Sequence, residues 1–304
     1  MDILNGQQWH IHKGDCITHM HEMPEKSVDF SVFSPPFPSL YAYTSQECDI
    51  GNTATVDEEA RVHLGFFYRG LARVLKPGRV AIVHVCQIPR MKRSGEVGLC
   101  DFRGLNVRMG ERAGLVYEYD WAVRKNPQAQ AIRTKSRELQ FVGLETDRAK
   151  QRGCLSDYLI KFMAPGENAV PINAKGQVSR NEWIDWAEGT WSDINENDTL
   201  NTSEAKSEDD VKHICPLQLE VYRRSILLYS NPGEIVFEPF GGIGSGGFVA
   251  RGGQSIKTKK RIADKRRYYC CEIKPEYYTT AERNIKRADE QTQRERSLFA
   301  TEAK

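Results

Sequence analysis

The chain has no C-x-x-C pair among its eight cysteines, Cys16, Cys48, Cys86, Cys100, Cys154, Cys215, Cys270 and Cys271. That spacing argues against a compact zinc site, and free buried thiols are expected rather than a disulfide framework. There is no apolar run long enough to cross a bilayer. The longest mostly apolar stretch, Val80 to Cys86, is far too short. Met1 to Gln8 lacks both the basic start and the apolar core of a secretory signal, so a cytoplasmic location and no membrane partner are expected. No charge dominates, since 43 Lys and Arg face 41 Asp and Glu for a net charge of +2. No Gly-Lys-Ser/Thr follows a glycine turn, which disfavours a P-loop.

What is present is enough to build a core. Of 304 residues, 39% are hydrophobic and 10% aromatic, which excludes global disorder. The length fits one large domain, or one domain carrying an insertion. Charge is distributed unevenly. An acidic stretch, Glu182 to Asp210, offsets a strongly basic one, Lys257 to Arg267.

Strand and helix signals alternate along the chain. Strands are expected at Trp9–Lys13, Val28–Phe33, Arg79–Cys86, Leu115–Arg124, Leu155–Met163, Ile235–Phe237 and Tyr268–Glu272. Helices are expected at Cys16–Met23, Asp57–Leu75, Phe102–Ala113, Val221–Ser230 and Pro275–Ala288, with a frayed tail after Asp289. The alternation predicts an α/β fold with a mostly parallel sheet. Gln128–Gly153 and Glu167–Lys212 break the rhythm and are long and polar for connections within a sheet.

Two short segments carry chemistry. In Phe237-Glu238-Pro239-Phe240-Gly241-Gly242-Ile243-Gly244-Ser245, a strand ends in an acid and a glycine turn leads into a helix. Glycines let the backbone approach a bound group, and an acid at the end of the next strand, Glu272, can hold ribose hydroxyls. The pair describes a nucleoside-containing cofactor; a plain tight turn is the bland alternative. In Ser34-Pro35-Pro36-Phe37, two prolines stiffen the end of a buried strand and remove two N–H donors. The carbonyls and the Ser34 hydroxyl are left as acceptors beside the flat face of Phe37, a set that suits a planar group bearing an NH2. A rigid strand-ending turn is the bland alternative here.

Taken together, the two segments resemble the motifs of the amino-methyltransferases of DNA. Ser34 to Phe37 is similar to the family's (Asp/Asn/Ser)-Pro-Pro-(Tyr/Phe), and Glu238 to Ser245 to its Asp-Pro-Phe-x-Gly-x-Gly-Thr. The order, catalytic motif first, resembles the permuted β group. Gly14-Asp15-Cys16, Leu71–Gly78, Cys215–Phe240 and Glu272–Tyr278 also look like family segments. There are departures: Glu238 replaces Asp, Ser245 replaces Thr, Phe33 stands where N4 enzymes often have Thr, and Gln254–Arg267 lengthens the spacing to Glu272.

The resemblance implies a Rossmann-like class I methyltransferase sheet, S-adenosyl-L-methionine as cofactor and double-stranded DNA as substrate. Ser34, Pro35, Pro36 and Phe37 take the catalytic role. Asp15, Glu238, Pro239, Phe240, Gly242, Gly244, Ser245 and Glu272 take the cofactor role. Residues 1–127 and 213–304 become the catalytic and cofactor-binding parts of one domain, and 128–212 a target-recognition region around one core strand. No Pro-Cys dipeptide supplies the nucleophile of a cytosine-C5 enzyme, so the amine nitrogen must attack the methyl directly. A stacked base cannot reach the cofactor and must be flipped out onto Phe37. A Ser-first motif leans to cytosine N4 over adenine N6. An RNA or protein-glutamine methyltransferase, or an inactive DNA-binding relative, are the other readings.

Weaker features remain open. Arg133, Lys135 and Arg137 alternate and would contact phosphate from one side if that segment is extended, or else line a solvated edge. Lys257 to Arg267 could be a DNA contact, a homodimer contact or a basic hairpin, expected away from the catalytic turn. His10, His12, Cys16, His19 and His21 lack the spacing of a zinc site and read as a strand face with solvent-facing helix histidines. Trp183, Trp186 and Trp191 are expected to make a small local core.

Overall fold

The computed structural model describes residues 2–38, 50–52, 59–90, 98–134, 141–173, 176–201 and 216–302. Strands and helices alternate from the start: β1 (Trp9–Lys13), α1 (Cys16–Glu22), β2 (Val28–Phe33), α2 (Glu59–Val74), β3 (Leu75–Cys86) and α3 (Phe102–Arg112). There follow β4 (Val116–Val123), α4 (Pro127–Thr134), α5 (Phe141–Glu145), β5 (Asp157–Met163), α6 (Arg180–Trp186) and the two-residue β6 (Thr190–Trp191). The chain closes with α7 (Leu219–Tyr229), β7 (Ile235–Glu238), α8 (Ser245–Ala250), β8 (Arg267–Glu272) and α9 (Pro275–Glu302).

One sheet takes eight strands in the order β1-β8-β7-β2-β3-β5-β4-β6. The pairs β1/β8, β8/β7, β7/β2 and β2/β3 are parallel. β5 runs antiparallel to both β3 and β4, and β6 adds a short parallel edge beside β4. β2 is buried at every position, as a strand covered on both faces must be. One face packs under α7, α8 and α9 through Ile226, Phe248, Ala281 and Ile285. The other packs under α1, α2 and α3 through Met20, Leu64, Phe67, Leu71, Phe102 and Met109. This is the expected mostly parallel α/β architecture.

Two boundaries differ from the sequence expectation. Lys76-Pro77-Gly78 does not separate α2 from β3. The strand begins at Leu75, and Val28 pairs with Leu75 while Phe30 pairs with Val80. The extra residues form a bulge, with Gly78 at φ +68 supplying the turn. At the C-terminus α9 continues to Glu302 rather than fraying after Asp289. No Gly or Pro interrupts residues 276–302. Asp289 also binds the side chains of Trp9, Arg251 and Lys265, at 3.1, 2.9 and 2.7 Å.

The connections decide where a ligand can sit. From β2 the chain moves through α2 to β3, and from β7 it moves through α8 to β8 on the opposite side. The direction reverses between β2 and β7, which opens a crevice at the carboxyl ends of these adjacent strands. Ser34 follows one of these strands and the glycine turn follows the other.

Candidate active site

Because β2 and β7 pair in parallel, with Ser31 opposite Phe237, their ends lie side by side. Ser34 to Phe37 leaves β2 without regular structure, with Ser34 half-buried and Pro35 buried. The Phe37 ring leans on Phe102 in the first turn of α3 at 5.5 Å. On the β7 side, the Phe240 ring lies 5.9 Å from Phe33 and 5.0 Å from Phe67. Aromatic contact therefore joins the glycine motif to Phe33, the residue that precedes the Ser34 corner.

The glycine bend is held from below and from the side. Gly241 N donates to Cys271 O at 2.8 Å, and Gly244 N to Gly241 O at 2.9 Å. Glu272 Oε2 accepts from Gly242 N, and its Oε1 from Lys274 N, both at 2.7 Å. Gly242 (φ +52) faces open space, whereas a Cβ on Gly244 (φ +79) would meet Ala281 of α9 at 2.9 Å. Gly244 is thus a packing glycine, and Gly242 is the one that leaves room for a ligand. Asp15 stands at the same edge of the sheet. Lys13 pairs with Glu272, Gly14 N donates to Glu272 O at 3.0 Å, and Asp15 caps α1 by accepting from Thr18 N at 2.7 Å. Asp15, Glu272, the glycine bend and Ser34 thus occupy the carboxyl ends of four consecutive parallel strands.

Glu238 is turned the other way. It is buried, and its carboxyl accepts from the Tyr222 and Tyr268 hydroxyls. Burial pushes it up to about 8 against the lowering effect of those two hydroxyls. A Cβ on Gly246 would run into Glu238 Oε2, so the acid fills the notch beneath the bend. Pro239 is buried as well. Both residues shape the bend from inside.

The donor set fits an S-adenosyl-L-methionine site. Ser245 Oγ, after the bend, and Gln218 Oε1, at the start of α7, are buried without a hydrogen-bond partner among the described residues. Unpaired buried polar atoms at such an edge are open to a polar ligand or to water. Gly242 gives the backbone access, and two carboxylates, Asp15 and Glu272, lie within the same edge.

Sequence reasoning missed a polar chain behind Ser34. His84 Nδ1 lies 3.0 Å from Ser34 Oγ, and His84 Nε2 lies 2.9 Å from Asp157 Oδ2. Lys125 Nζ meets the same Asp157 oxygen at 2.6 Å. Burial works to raise the Asp157 carboxyl, but His84 and Lys125 outweigh it and hold it below the usual carboxylate range. The available signal was a histidine within an otherwise apolar buried strand, Arg79–Cys86.

The outlying expectations divide. Arg133 lies in α4, so the segment around it is helical and not the extended strand that would align alternate cations. Lys135 and Arg137 lie outside the described residues. The basic insertion leaves the bottom of the sheet, where Gly233 N donates to Lys265 O at 2.9 Å. Its tip climbs to Asp198, through Ser255, and to Glu220 in the first turn of α7, through Lys260 at 3.6 Å. That turn also carries Tyr222, level with Glu238, so the tip is not remote from the catalytic edge. Trp186 and Trp191 do not make a small local core but join the large one on the α7–α9 face of the sheet, and Trp183 is 58% exposed. His19 is not solvent-facing: it stacks on His12 at 3.7 Å and hydrogen-bonds Tyr269 Oη at 2.6 Å.

The arrangement matches known proteins. A DNA modification methylase from Thermus thermophilus, in its complex with S-adenosyl-L-methionine, superposes with a TM-score of 0.65 at 18% identity, covering 93% of this chain and 96% of that one. The cytosine-N4-specific PvuII DNA methyltransferase superposes with a TM-score of 0.64 at 16% identity, covering 92% and 86%. At such identities the likeness is one of fold. Among curated proteins, no relative matches the chain in sequence. The model of the N6/N4 DNA methylase family matches residues 28–283, from the first residue of β2 into α9. With both motifs, the crevice and most of the sheet inside that match, the chain belongs to the N6/N4 DNA methylase family.

Proposed function

We propose that this chain transfers the methyl group of S-adenosyl-L-methionine to an exocyclic amine of a flipped base in double-stranded DNA, with cytosine N4 as target ahead of adenine N6. The observation that carries the reading is the meeting of Ser34 and the glycine bend at the switch point, with Phe33 against Phe240 at 5.9 Å. The lean to cytosine rests on the Ser-first motif. Phe33, in the place of Thr, favours adenine as the second reading.

When bound, the cofactor supplies an electrophilic methyl group. Gly242 admits it against the backbone, and Ser245 and Gln218 gain partners for their unpaired oxygens. Asp15 and Glu272 take its adenine and ribose edges. Phe240 walls the passage between donor and acceptor. Glu238 and Pro239 hold the bend, and Gly244 fixes it against α9.

The Pro35 carbonyl and Ser34 Oγ accept from the amine. Two acceptors favour a pyramidal nitrogen, and they stabilise the positive charge that grows there. Phe37, braced on Phe102, receives the base face, and Pro36 keeps the corner rigid. Alignment of nitrogen and methyl supplies the remaining acceleration. Arg133, Lys135 and Arg137 contribute phosphate contacts from the region that follows β4.

The test is to incubate the protein with isotopically labelled cofactor and duplex DNA, digest the DNA and identify the methylated nucleoside. N4-methylcytosine is expected. N6-methyladenine would move the target to adenine, and label found only in RNA or protein would overturn the DNA reading.

A further inference from the structure

The polar chain behind Ser34 does more than fill a cavity. Ser34 and His84 sit side by side because β2 and β3 are parallel neighbours, with Phe33 opposite Val83. Asp157 reaches His84 because β5 runs antiparallel to β3, with Cys86 opposite Asp157. Lys125 arrives from just beyond β4, whose Val123 pairs with Asp157. Four strands therefore build one line, Ser34 Oγ to His84 Nδ1 at 3.0 Å, then Nε2 to Asp157 Oδ2 at 2.9 Å, with Lys125 Nζ on that oxygen at 2.6 Å. His84 and Asp157 side chains are only 12% and 11% exposed.

The chemistry of the line fixes its polarity. Asp157, ionised by its two neighbours, can only accept, so the imidazole must present its proton at Nε2. Lys125 Nζ, on the same carboxylate at 2.6 Å, supplies a countercharge that does not come from the imidazole. In that tautomer Nδ1 is an acceptor, and the only proton the Ser34 hydroxyl can offer it is its own. Both Ser34 lone pairs are then left facing outward. A hydroxyl is ordinarily free to donate or accept; here it is held as an acceptor for an amine.

We propose that His84, backed by Asp157 and Lys125, locks the Ser34 hydroxyl as an acceptor toward the target amine and takes its proton when the methylated amine is neutralised. The proposal rests on the amine-methylation reading above. Forming the new nitrogen–carbon bond uses the nitrogen lone pair, while the methyl–sulfur bond breaks with its electron pair left on sulfur; the sulfonium becomes a neutral thioether and the positive charge passes to the nitrogen. One N–H bond then breaks, and its electron pair stays on nitrogen. The proton goes to Ser34 Oγ while the hydroxyl's original proton passes to His84 Nδ1. The imidazolium so formed faces the Asp157 carboxylate and returns its proton to water through Ser34 once product has left. His84 is a positioning residue, acting through Ser34 and never touching the base.

The full chain can be tested in two independent ways. Nitrogen NMR of the imidazoles in the free protein should show His84 as the neutral Nε2–H tautomer, with its Nδ1 resonance moving in Ser34→Ala. In single-turnover methylation, His84→Asn keeps an acceptor near the Nδ1 position but cannot take a proton. Its rate should fall about a hundredfold or more, with cofactor affinity within about twofold of wild type. His84→Ala should recover activity with added imidazole but not with 1-methylimidazole, which has no N–H for Asp157. A proton found on Nδ1, or a wild-type rate in His84→Asn, would overturn the proposal. If the wild-type chain methylates no amine in any nucleic acid, the functional reading and the proton step fall together, whereas the tautomer still decides the hydroxyl lock.

Discussion

Glu238, Gly242 and Gly244 lie within seven residues of one another and do different things. Glu238 is a carboxyl in a dry site, and burial raises it from 4.5 to about 8. Between those values the folded chain holds a proton that the unfolded chain has lost. Stability is therefore full below about 4.5 and declines as pH rises toward 8, by at most ~5 kcal/mol. Glu238→Gln keeps an acceptor for Tyr222 and Tyr268 but cannot ionise. Urea unfolding of this variant should be nearly as stable at about pH 8 as at about pH 5, while wild type weakens. An equal slope in both proteins would show that Glu238 is already charged. The two glycines separate fold from binding. Gly244→Ala forces a left-handed residue against α9 and should cost about 2–4 kcal/mol in the same measurement. Gly242→Ala meets open space and carries only the backbone strain of φ +52, without a clash on α9, so cofactor binding by calorimetry should weaken with a smaller stability loss than in Gly244→Ala. Ser34→Ala should abolish methyl transfer and leave cofactor binding near normal.

At the scale of elements, α1 shows how one residue serves local structure and site together. Asp15 caps the helix through Thr18 N at 2.7 Å and Thr18 Oγ1 at 2.8 Å, and it stands beside Glu272 at the cofactor edge. Asp15→Ser retains a cap but removes the carboxylate, so cofactor affinity should drop while the melting temperature holds. Asp15→Ala should lose both, with about 1 kcal/mol of stability. The long strands of the sheet and the helices that cover it were legible in the sequence, because apolar periodicity and Pro-Gly stops are local signals, whereas α4, α5, α6 and β6 fall in stretches that read only as long polar connections. The exceptions are also local in origin. Pro77-Gly78 read as a stop became a bulge inside β3, since the same residues that end a helix can bend a strand. The alternating cations after Asn126 suggested extension, yet α4 is a helix begun by Pro127, a residue well suited to a first helical turn.

For the whole molecule, what matters is the order of strands. Two motifs some two hundred residues apart become neighbours because β7 returns to pair with β2, and the reversal of direction there leaves a crevice. The two motifs were readable because each is contiguous. The Ser34–His84–Asp157–Lys125 line was not, since it depends on the register among β2, β3, β5 and β4, which no short segment encodes. The orientation of Glu238 away from the crevice was equally hidden, because it depends on Tyr222 of α7 and Tyr268 of β8. DNA engagement is also a property at this scale. Replacing Arg133, Lys135 and Arg137 with Gln together should lower the salt slope of duplex binding by about 2–3. An unchanged slope would remove the segment from the interface. The central claim is that cofactor and target amine meet between β2 and β7. Bind cofactor bearing a carbon-13 methyl group to the protein and record nuclear Overhauser contacts from that methyl. The account predicts contacts to side-chain protons of Pro35, Phe37 or Phe240; contacts confined to residues remote from the Ser34 corner would contradict it.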